Sequence, residues 1–250
     1  NKFAMTTRHP VGVCGIITAW NFPIAVPSWK IFPALLCGNT VVFKPSEETP
    51  LSAQRFVEIL IEAGVPHGVI NLVQGSGAVT GEALVQHPDI HLISFTGSTA
   101  TGRHIAEACG KNLKRVALEM GGKNAAIVMP DANLDLALQG ILWGSFGTSG
   151  QRCTATSRLI IHRSIKDAFV KQLIDRAQKL VVGDGLDPKT QVGPLANAKQ
   201  LERVKKYVEI GINEDKATLV TGLVGSRRAL PLPTHGLFYP PTIFDYVTPH

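Results

Sequence analysis

The segment VINLVQGSGAVTG, residues 69–81, contains the pattern that decides the fold. Its first five residues are mostly β-branched or apolar and predict a short buried strand, because such runs pack well inside a sheet. Glycines at positions 75, 77 and 81 follow, and the helical pattern of residues 78–86 begins among them. A strand that passes through a glycine-rich turn into a helix is the repeating unit of an alternating α/β fold.

The same unit recurs along the first half of the chain. Pro33 predicts a kink in the first of the helices, or its edge. Since strands that alternate with helices are mostly parallel, we expect a parallel sheet with helices on both faces. The predicted strands are residues 12–19, 40–43, 69–73, 91–95 and 115–118, and the predicted helices are residues 26–37, 50–63, 78–86 and 98–109.

The pattern starts again after Gly121 and Gly122. Here the predicted strands are residues 125–129, 157–162 and 218–221, and the predicted helices are residues 134–146, 165–180 and 201–210. We therefore predict an α/β protein with two lobes, residues 1–121 and residues 122–250. Because the first residue is not methionine and a strand-like run leads up to the last four residues, we expect the sequence to come from the middle of a longer polypeptide.

Composition and charge argue against several classes of protein. Apolar residues make up 44% of the 250 residues, enough for a hydrophobic core. No apolar run approaches the roughly 20 residues of a membrane helix, so we expect no membrane partner. The net charge is +6, but the basic residues are scattered and not interleaved with aromatics, so we expect no nucleic-acid partner. A positive field for an anionic cofactor or substrate is one interpretation of this charge, and a soluble protein whose acidic segments lie elsewhere is the other.

The cysteines and histidines lack the spacing of metal ligands. We predict no metal site, because the eight histidines are scattered and the four cysteines form neither a metal nor a disulfide pattern. Free cysteines of this kind favour a reducing, cytoplasmic compartment. Cys14 and Cys37 lie in apolar segments and are predicted to be small core residues.

Two short motifs, residues 118–123 (LEMGGK) and 150–154 (GQRCT), carry the predicted chemistry. Cys153 lies among small and polar residues, which suits a thiolate that attacks a carbonyl carbon. Glu119 precedes two glycines, so its carboxylate has room to swing and to take a proton from a thiol or a water. Together they predict covalent chemistry through a thioester. Arg152 has three interpretations: it stabilises the thiolate, it pairs with a substrate carboxylate or phosphate, or it faces solvent.

The turns after several predicted strands fit a dinucleotide. The turn with Gly77 and Gly81 can present backbone N–H groups to a pyrophosphate. Its GxGxxxG spacing is not the Rossmann GxGxxG, however, and a plain strand–helix turn is the alternative. Phe95, Gly97 and Ser98 repeat the arrangement one unit later. Two such turns favour a dinucleotide, since ligands bind outside the carboxyl ends of parallel strands.

Polar residues also follow two other predicted strands. Lys44, Ser46 and Glu47 end one of them, where a lysine and a carboxylate can hold ribose hydroxyls and where an acidic group favours NAD over NADP. A surface salt bridge is the alternative interpretation of this pair. Asn21, next to Trp20, can donate to an oxyanion or can be an ordinary turn residue.

Five motifs taken together resemble those of the aldehyde dehydrogenase superfamily. They are residues 20–23 (WNFP), 44–47 (KPSE), 95–98 (FTGS), 119–123 (EMGGK) and 150–153 (GQRC). The resemblance covers essentially the whole chain and implies a Rossmann-type cofactor lobe and a catalytic lobe. Members of the superfamily are about twice this length, so the resemblance also implies that the fold is incomplete at both ends here.

The resemblance assigns expected roles to single residues. It implies that Cys153 is the nucleophile and Glu119 the general base, and that Asn21 and the backbone N–H of Cys153 form the oxyanion hole. It implies that the region near Asn21 is lined by Trp20 and Pro23. With the glycine turns included, the expected cofactor contacts are Trp20, Lys44, Ser46, Glu47, Gly77, Gly81, Phe95, Gly97 and Ser98.

The expected function is the oxidation of an aldehyde to a carboxylic acid with NAD, or alternatively NADP, by a protein that is a homo-oligomer at full length. Arg152 beside the nucleophile resembles members that act on acidic aldehydes, so an acidic semialdehyde is the expected substrate. Two alternatives stay open. One is a CoA-acylating dehydrogenase on the same fold, and the other is a non-catalytic fragment that only binds nucleotide.

Overall fold

The structure is a computed structural model that describes residues 2–222 and 232–248. The chain divides into two compact units, Asn1–Gly121 and Gly122–His250. In the first unit the strands are β1 (Val13–Ile17), β2 (Thr40–Lys44), β3 (Ile70–Leu72), β4 (Leu92–Gly97) and β5 (Arg115–Met120). Its helices are α1 (Ala25–Leu36), α2 (Pro50–Glu62), α3 (Glu82–Gln86) and α4 (Thr99–Lys111).

The five strands of the first unit form one parallel sheet in the order β3-β2-β1-β4-β5. The chain winds outward from β1 to β3 and then resumes on the other side of β1 with β4 and β5. This reversal between β1 and β4 is the topological switch point at which doubly wound sheets bind ligands. The predicted α/β class with a parallel sheet is confirmed.

Hydrophobic cores cover both faces of this sheet. Successive side chains of a strand point to opposite faces, so Ile16 and Ile17 of β1 enter different cores. Ile16 packs in a cluster that includes Phe56 of α2, and Ile17 packs in a cluster that includes Ile105 of α4. Each such buried side chain contributes about 1.5–3 kcal/mol, and the two layers together hold the strand ends in place.

Two helices can be compared with their predicted form. The first runs from Ala25 to Leu36 with Pro33 inside it, so Pro33 does not mark its edge, and the Pro33 carbonyl accepts from the Cys37 N–H at 3.1 Å. The helix predicted at residues 78–86 begins instead as a π turn, Gly77–Gly81, before α3. In that turn the Ser76 carbonyl accepts from the Gly81 N–H five residues later.

The second unit contains a parallel pair of strands, β6 (Asn124–Val128) and β7 (Thr156–Ile161). It also contains the helices α5 (Leu134–Phe146), α6 (Lys166–Ala177) and α7 (Ala198–Asn213) and an antiparallel pair, β8 (Thr218–Thr221) and β9 (Ile243–Asp245). A core that includes Val128, Leu138 and Phe169 packs α5 and α6 against the parallel pair. Over residues 2–222 and 232–248, no helix is both long and apolar enough to span a bilayer.

Candidate active site

The carboxyl edge of the parallel sheet gathers most of the residues predicted in the first unit. Asn21 lies a few residues beyond the end of β1, Lys44 is the last residue of β2, and Ser98 follows β4 directly. Glu119 is the penultimate residue of β5 and is exposed. Because all five strands are parallel, their carboxyl ends lie along the same edge of the sheet, where α/β proteins bind their ligands.

Lys44 is held in place by burial and by the backbone. Its side chain is 2% exposed, and Nζ donates to the Pro45 carbonyl at 2.6 Å. Nζ also lies 3.7 Å from Oε2 of the exposed Glu47. Burial lowers the pKa of Lys44, and Glu47 opposes that shift. The ion pair of the alternative interpretation is therefore present, with its lysine buried and its glutamate exposed. Ser46, also buried, accepts from the Glu48 N–H.

The two turns that precede helices have similar geometry. Ser76 Oγ accepts from the Val79 N–H at 3.3 Å, and Ser98 Oγ accepts from the Thr101 N–H at 3.1 Å. Gly77 has open space where a side chain would be. Gly81, in contrast, is buried, and a Cβ at this residue would lie 3.7 Å from Cδ of Lys44. Gly81 therefore packs on the lysine stem, whereas Gly77 borders open space.

The ring of Phe95 is buried. The residue is 4% exposed and packs in the core that includes Ile17 and Ile105. A Cβ at Gly97 would lie only 2.4 Å from Cζ of Phe95. The close approach explains why position 97, two residues after Phe95, is a glycine.

Two residues in the first unit were missed by the sequence analysis. Lys30, in the middle of α1, is half-buried, and its Nζ donates to Ser94 Oγ at 2.9 Å and to the Phe95 carbonyl at 3.4 Å. Burial lowers the pKa of Lys30, while the charge of Glu119 raises it. The clue was a lysine inside an otherwise apolar helix. The second residue, Thr96, is paired in register with Glu119, and its Oγ1 is buried without a hydrogen-bond partner in the described part of the chain.

Cys153 of the second unit is exposed and follows a strained turn. Thr148, Ser149 and Gly150 have φ values of 55°, 55° and 69°, and left-handed backbone costs non-glycine residues about 1–2 kcal/mol each. Hydrogen bonds to a distant segment stabilise this turn. Ser149 Oγ donates to the Gly193 carbonyl at 2.8 Å, and Gln151 Oε1 accepts from the Ala196 N–H at 3.0 Å.

Arg152 does not simply face solvent. Its Nη2 donates to the Trp143 and Gly144 carbonyls at 2.5 and 3.1 Å, at the C-terminal end of α5. The guanidinium lies 3.7 Å from the centre of the Trp143 ring. A cation at a helix C-terminus and above an indole face is favourable in both respects. Among the described residues, Nε of Arg152 is buried and lacks a partner.

The four cysteines differ in accessibility. Cys14 and Cys109 are buried, and burial raises the pKa of both thiols. Cys37 was predicted to be a core residue, which is wrong: it is exposed, because α1 ends at Leu36 and Cys37 lies beyond the packed face. Of the two exposed thiols, Cys37 ends α1, whereas Cys153 follows the turn that the hydrogen bonds of Ser149 and Gln151 hold in place.

Comparison with known proteins identifies the class to which this fold and these residues belong. The profile of the aldehyde dehydrogenase family matches residues 1–250. The chain belongs to the aldehyde dehydrogenase family.

Several relatives are close in sequence. A betaine aldehyde dehydrogenase of Bacillus subtilis (strain 168) is 48% identical over 238 residues, which are 95% of this chain and 48% of the relative. Retinaldehyde dehydrogenase 3 of Mus musculus is 45% identical over 249 residues, or 99% of this chain and 47% of the relative. The crystal structure of PnpE in complex with nicotinamide adenine dinucleotide superposes with a TM-score of 0.88 at 47% identity, and covers 95% of this chain and 48% of that one. The chain thus spans about half the length of the curated relatives it matches.

Proposed function

We propose that this chain forms the nucleotide-binding and nucleophile-bearing part of an enzyme that oxidises an aldehyde to a carboxylic acid with NAD⁺. The observation that carries the proposal is Cys153, an exposed thiol that follows a strained turn, and a distant segment stabilises that turn. Family membership supports it, because the relatives are named for the aldehydes they oxidise.

In the proposed reaction, the Cys153 thiolate attacks the aldehyde carbon and forms a carbon–sulfur bond. The side-chain amide of Asn21 and the backbone N–H of Cys153 donate to the oxyanion that results. Bound NAD⁺ supplies the acceptor for the hydride that leaves this adduct. Glu119 then takes a proton from water, whose oxygen attacks the thioester carbon, and the carbon–sulfur bond breaks to release the carboxylic acid and the Cys153 thiolate.

The first unit fits a dinucleotide at the carboxyl edge of its sheet. The strand order β3-β2-β1-β4-β5 is that of the Rossmann fold as far as its fifth strand, and the N-terminus of α4 follows the switch-point strand β4. Backbone N–H groups there suit a pyrophosphate, with Ser98 and Gly97 in the turn. The exposed carboxylate of Glu47 beside Lys44 suits ribose hydroxyls and repels a 2′-phosphate, which favours NAD over NADP.

The test of the proposed function is an aldehyde panel with the full-length protein and NAD⁺, followed by NADH absorbance and by identification of the product with and without CoA. We expect NADH and the free acid, independent of CoA, because Glu119 serves attack by water. A thioester product that needs CoA would instead support the acylating alternative. Saturable NAD⁺ binding without NADH from any aldehyde would support the nucleotide-binding alternative.

For the substrate we propose an acidic semialdehyde. The relatives are named for betaine aldehyde and retinaldehyde, so the family by itself does not fix the aldehyde. The support comes from Arg152, which adjoins the nucleophile in sequence. Its guanidinium stays charged and matches the geometry of a carboxylate, so an acidic substrate is the one it would favour.

The substrate proposal predicts that Arg152→Ala selectively weakens activity on acidic aldehydes. Loss of a charge-assisted hydrogen bond of about 1.5–3 kcal/mol lowers kcat/KM for an acidic aldehyde by roughly 10- to 100-fold, and much less for a neutral one of similar size. The measurement is kcat/KM for both aldehydes, with Arg163→Ala, at an exposed arginine of the same unit, as control. An unchanged preference for acidic over neutral aldehydes would show that Arg152 only stabilises the C-terminal end of α5.

The proposal extends to assembly and compartment. As the family resemblance implies, we propose a homo-oligomer at full length, which light scattering on the purified protein tests. We also propose a cytoplasmic location, since all four cysteines are free thiols in the structure, as a reducing compartment would keep them.

A further inference from the structure

The two peptide units that flank Cys153 are each held by a hydrogen bond. The Arg152 carbonyl accepts from the Ala155 N–H at 3.1 Å, and the Cys153 carbonyl accepts from Nδ2 of Asn124 at 2.8 Å. Because a peptide unit is planar, fixing its carbonyl also fixes the N–H at its other end. The first bond therefore sets the direction of the Cys153 N–H, and the second limits rotation about the bond that follows its Cα.

Asn124 is placed for this contact by an irregularity in the strand pairing. It begins β6 opposite Thr156, but the register shifts before Ala125, which pairs with Arg158. Such bulges re-aim neighbouring side chains. The same Nδ2 also donates to the Ala155 carbonyl at 3.2 Å, so one amide group binds the carbonyls of both Cys153 and Ala155.

A further contact holds the chain just before Asn124. Nε and Nη2 of Arg158 donate to the Lys123 carbonyl at 3.1 and 2.5 Å. This carbonyl belongs to the peptide unit that ends at the Asn124 nitrogen. The contact therefore joins β7 to the residue before β6 and holds the backbone of Asn124. The side chain of Asn124 is exposed, so its hydrogen bonds add little to stability, and a kinetic role is the one that can be measured.

We propose that Asn124 is a positioning residue that keeps the Cys153 backbone N–H directed at the oxyanion of the substrate. The inference rests on the proposed role of Cys153. Asn124 touches neither the substrate nor the reacting sulfur in this account. It acts through the Cys153 peptide, and its effect should be confined to reactions that pass through a tetrahedral oxyanion.

Two probes of Cys153 separate this role from a general structural one. p-Nitrophenyl acetate transfers its acetyl group to the thiolate through a tetrahedral oxyanion and releases p-nitrophenolate. Iodoacetamide alkylates the same sulfur by displacement of iodide, with no oxyanion. The ratio of the two rates at Cys153 cancels any change in the thiolate population. Peptide mass spectrometry of the full-length protein assigns each rate to Cys153, with the other exposed thiol, Cys37, as an internal standard.

Asn124→Asp places carboxylate oxygens against two carbonyl oxygens, so the hydrogen bonds to the turn are lost. We expect the acylation-to-alkylation ratio to fall by about 10- to 100-fold, at most the smaller effect seen when an oxyanion donor is removed outright. Asn124→Ala should lower the ratio less, and it decides the matter if the aspartate variant does not fold. The matched control is Asn133→Asp, because Asn133 caps α5 by accepting from the Leu136 N–H and aspartate caps equally well. Its ratio should not change.

An unchanged ratio in folded Asn124→Asp or Asn124→Ala, or rates that fall in parallel for both probes, would overturn the inference. One further result would contradict the proposed function as well. If Cys153 of the wild-type protein reacts with p-nitrophenyl acetate no faster than Cys37 does, Cys153 is not an activated nucleophile. That outcome contradicts the proposed function, and the role of Asn124 falls with it.

Discussion

Full-length protein with Cys153→Ala should bind NAD⁺ as before and form essentially no NADH from any aldehyde. Removing the nucleophile of a covalent mechanism typically lowers kcat by a factor on the order of 10⁶. NAD⁺ binding should persist, because the residues proposed to hold the cofactor lie in the other unit, on the sheet edge that includes Lys44 and Ser98. Stopped-flow absorbance and NAD⁺ titration measure the two effects separately.

The matched control for this variant is Cys37→Ala. Cys37 is the other exposed thiol among the described residues, but it ends α1 and has no proposed role. Turnover should stay within about two-fold of the wild type, as for most surface substitutions. Normal NADH formation by the Cys153→Ala protein would refute the thioester mechanism.

Glu119→Gln should separate the two halves of the reaction. Glutamine keeps the size of the side chain but takes no proton from water, so hydrolysis of the thioester slows by roughly 100- to 10,000-fold, the usual range for loss of a general base. If hydride transfer does not need this base, the first turnover still forms one NADH for each active site. Rapid mixing should therefore show a burst of NADH followed by a very slow steady rate.

An exposed glutamate elsewhere in the same unit provides the control. Glu107 of α4 pairs with Lys111 at 2.8 Å and has no proposed catalytic role. Glu107→Gln should keep the wild-type steady rate. If Glu119→Gln instead lost the burst and the steady rate together, Glu119 would act before or during hydride transfer, and its assignment to thioester hydrolysis would be wrong.

Local sequence patterns were enough to predict the class of fold. Alternation of apolar runs with helical patterns is a short-range property, and it predicted a parallel sheet with helices on both faces. Helix α5, Leu134–Phe146, and strand β8, Thr218–Thr221, match their predicted limits. Helix α5 has a clear beginning in the Asn133 cap. The strand order around β1 was not predictable in this way, because it depends on pairing between distant segments.

Three residues show what local patterns do not reveal. Phe95 adjoins a polar turn in sequence, yet strand pleating directs its ring into the core. Cys37 continues an apolar run, but α1 ends one residue earlier, with Leu36 itself 87% exposed. Asn124 was missed because its contact with Cys153 depends on a register shift between two strands. In each case the deciding feature is tertiary.

The most direct test of the proposed mechanism is the mass of the Cys153 peptide from the Glu119→Gln protein. The protein is mixed with NAD⁺ and an aldehyde that the wild-type protein oxidises, and the reaction is then quenched in acid. We predict an acyl group in place of the thiol hydrogen of Cys153, with one NADH formed for each acyl group. NADH formed in the same amount while Cys153 remains a free thiol, or an acyl group on a different residue, would contradict the mechanism.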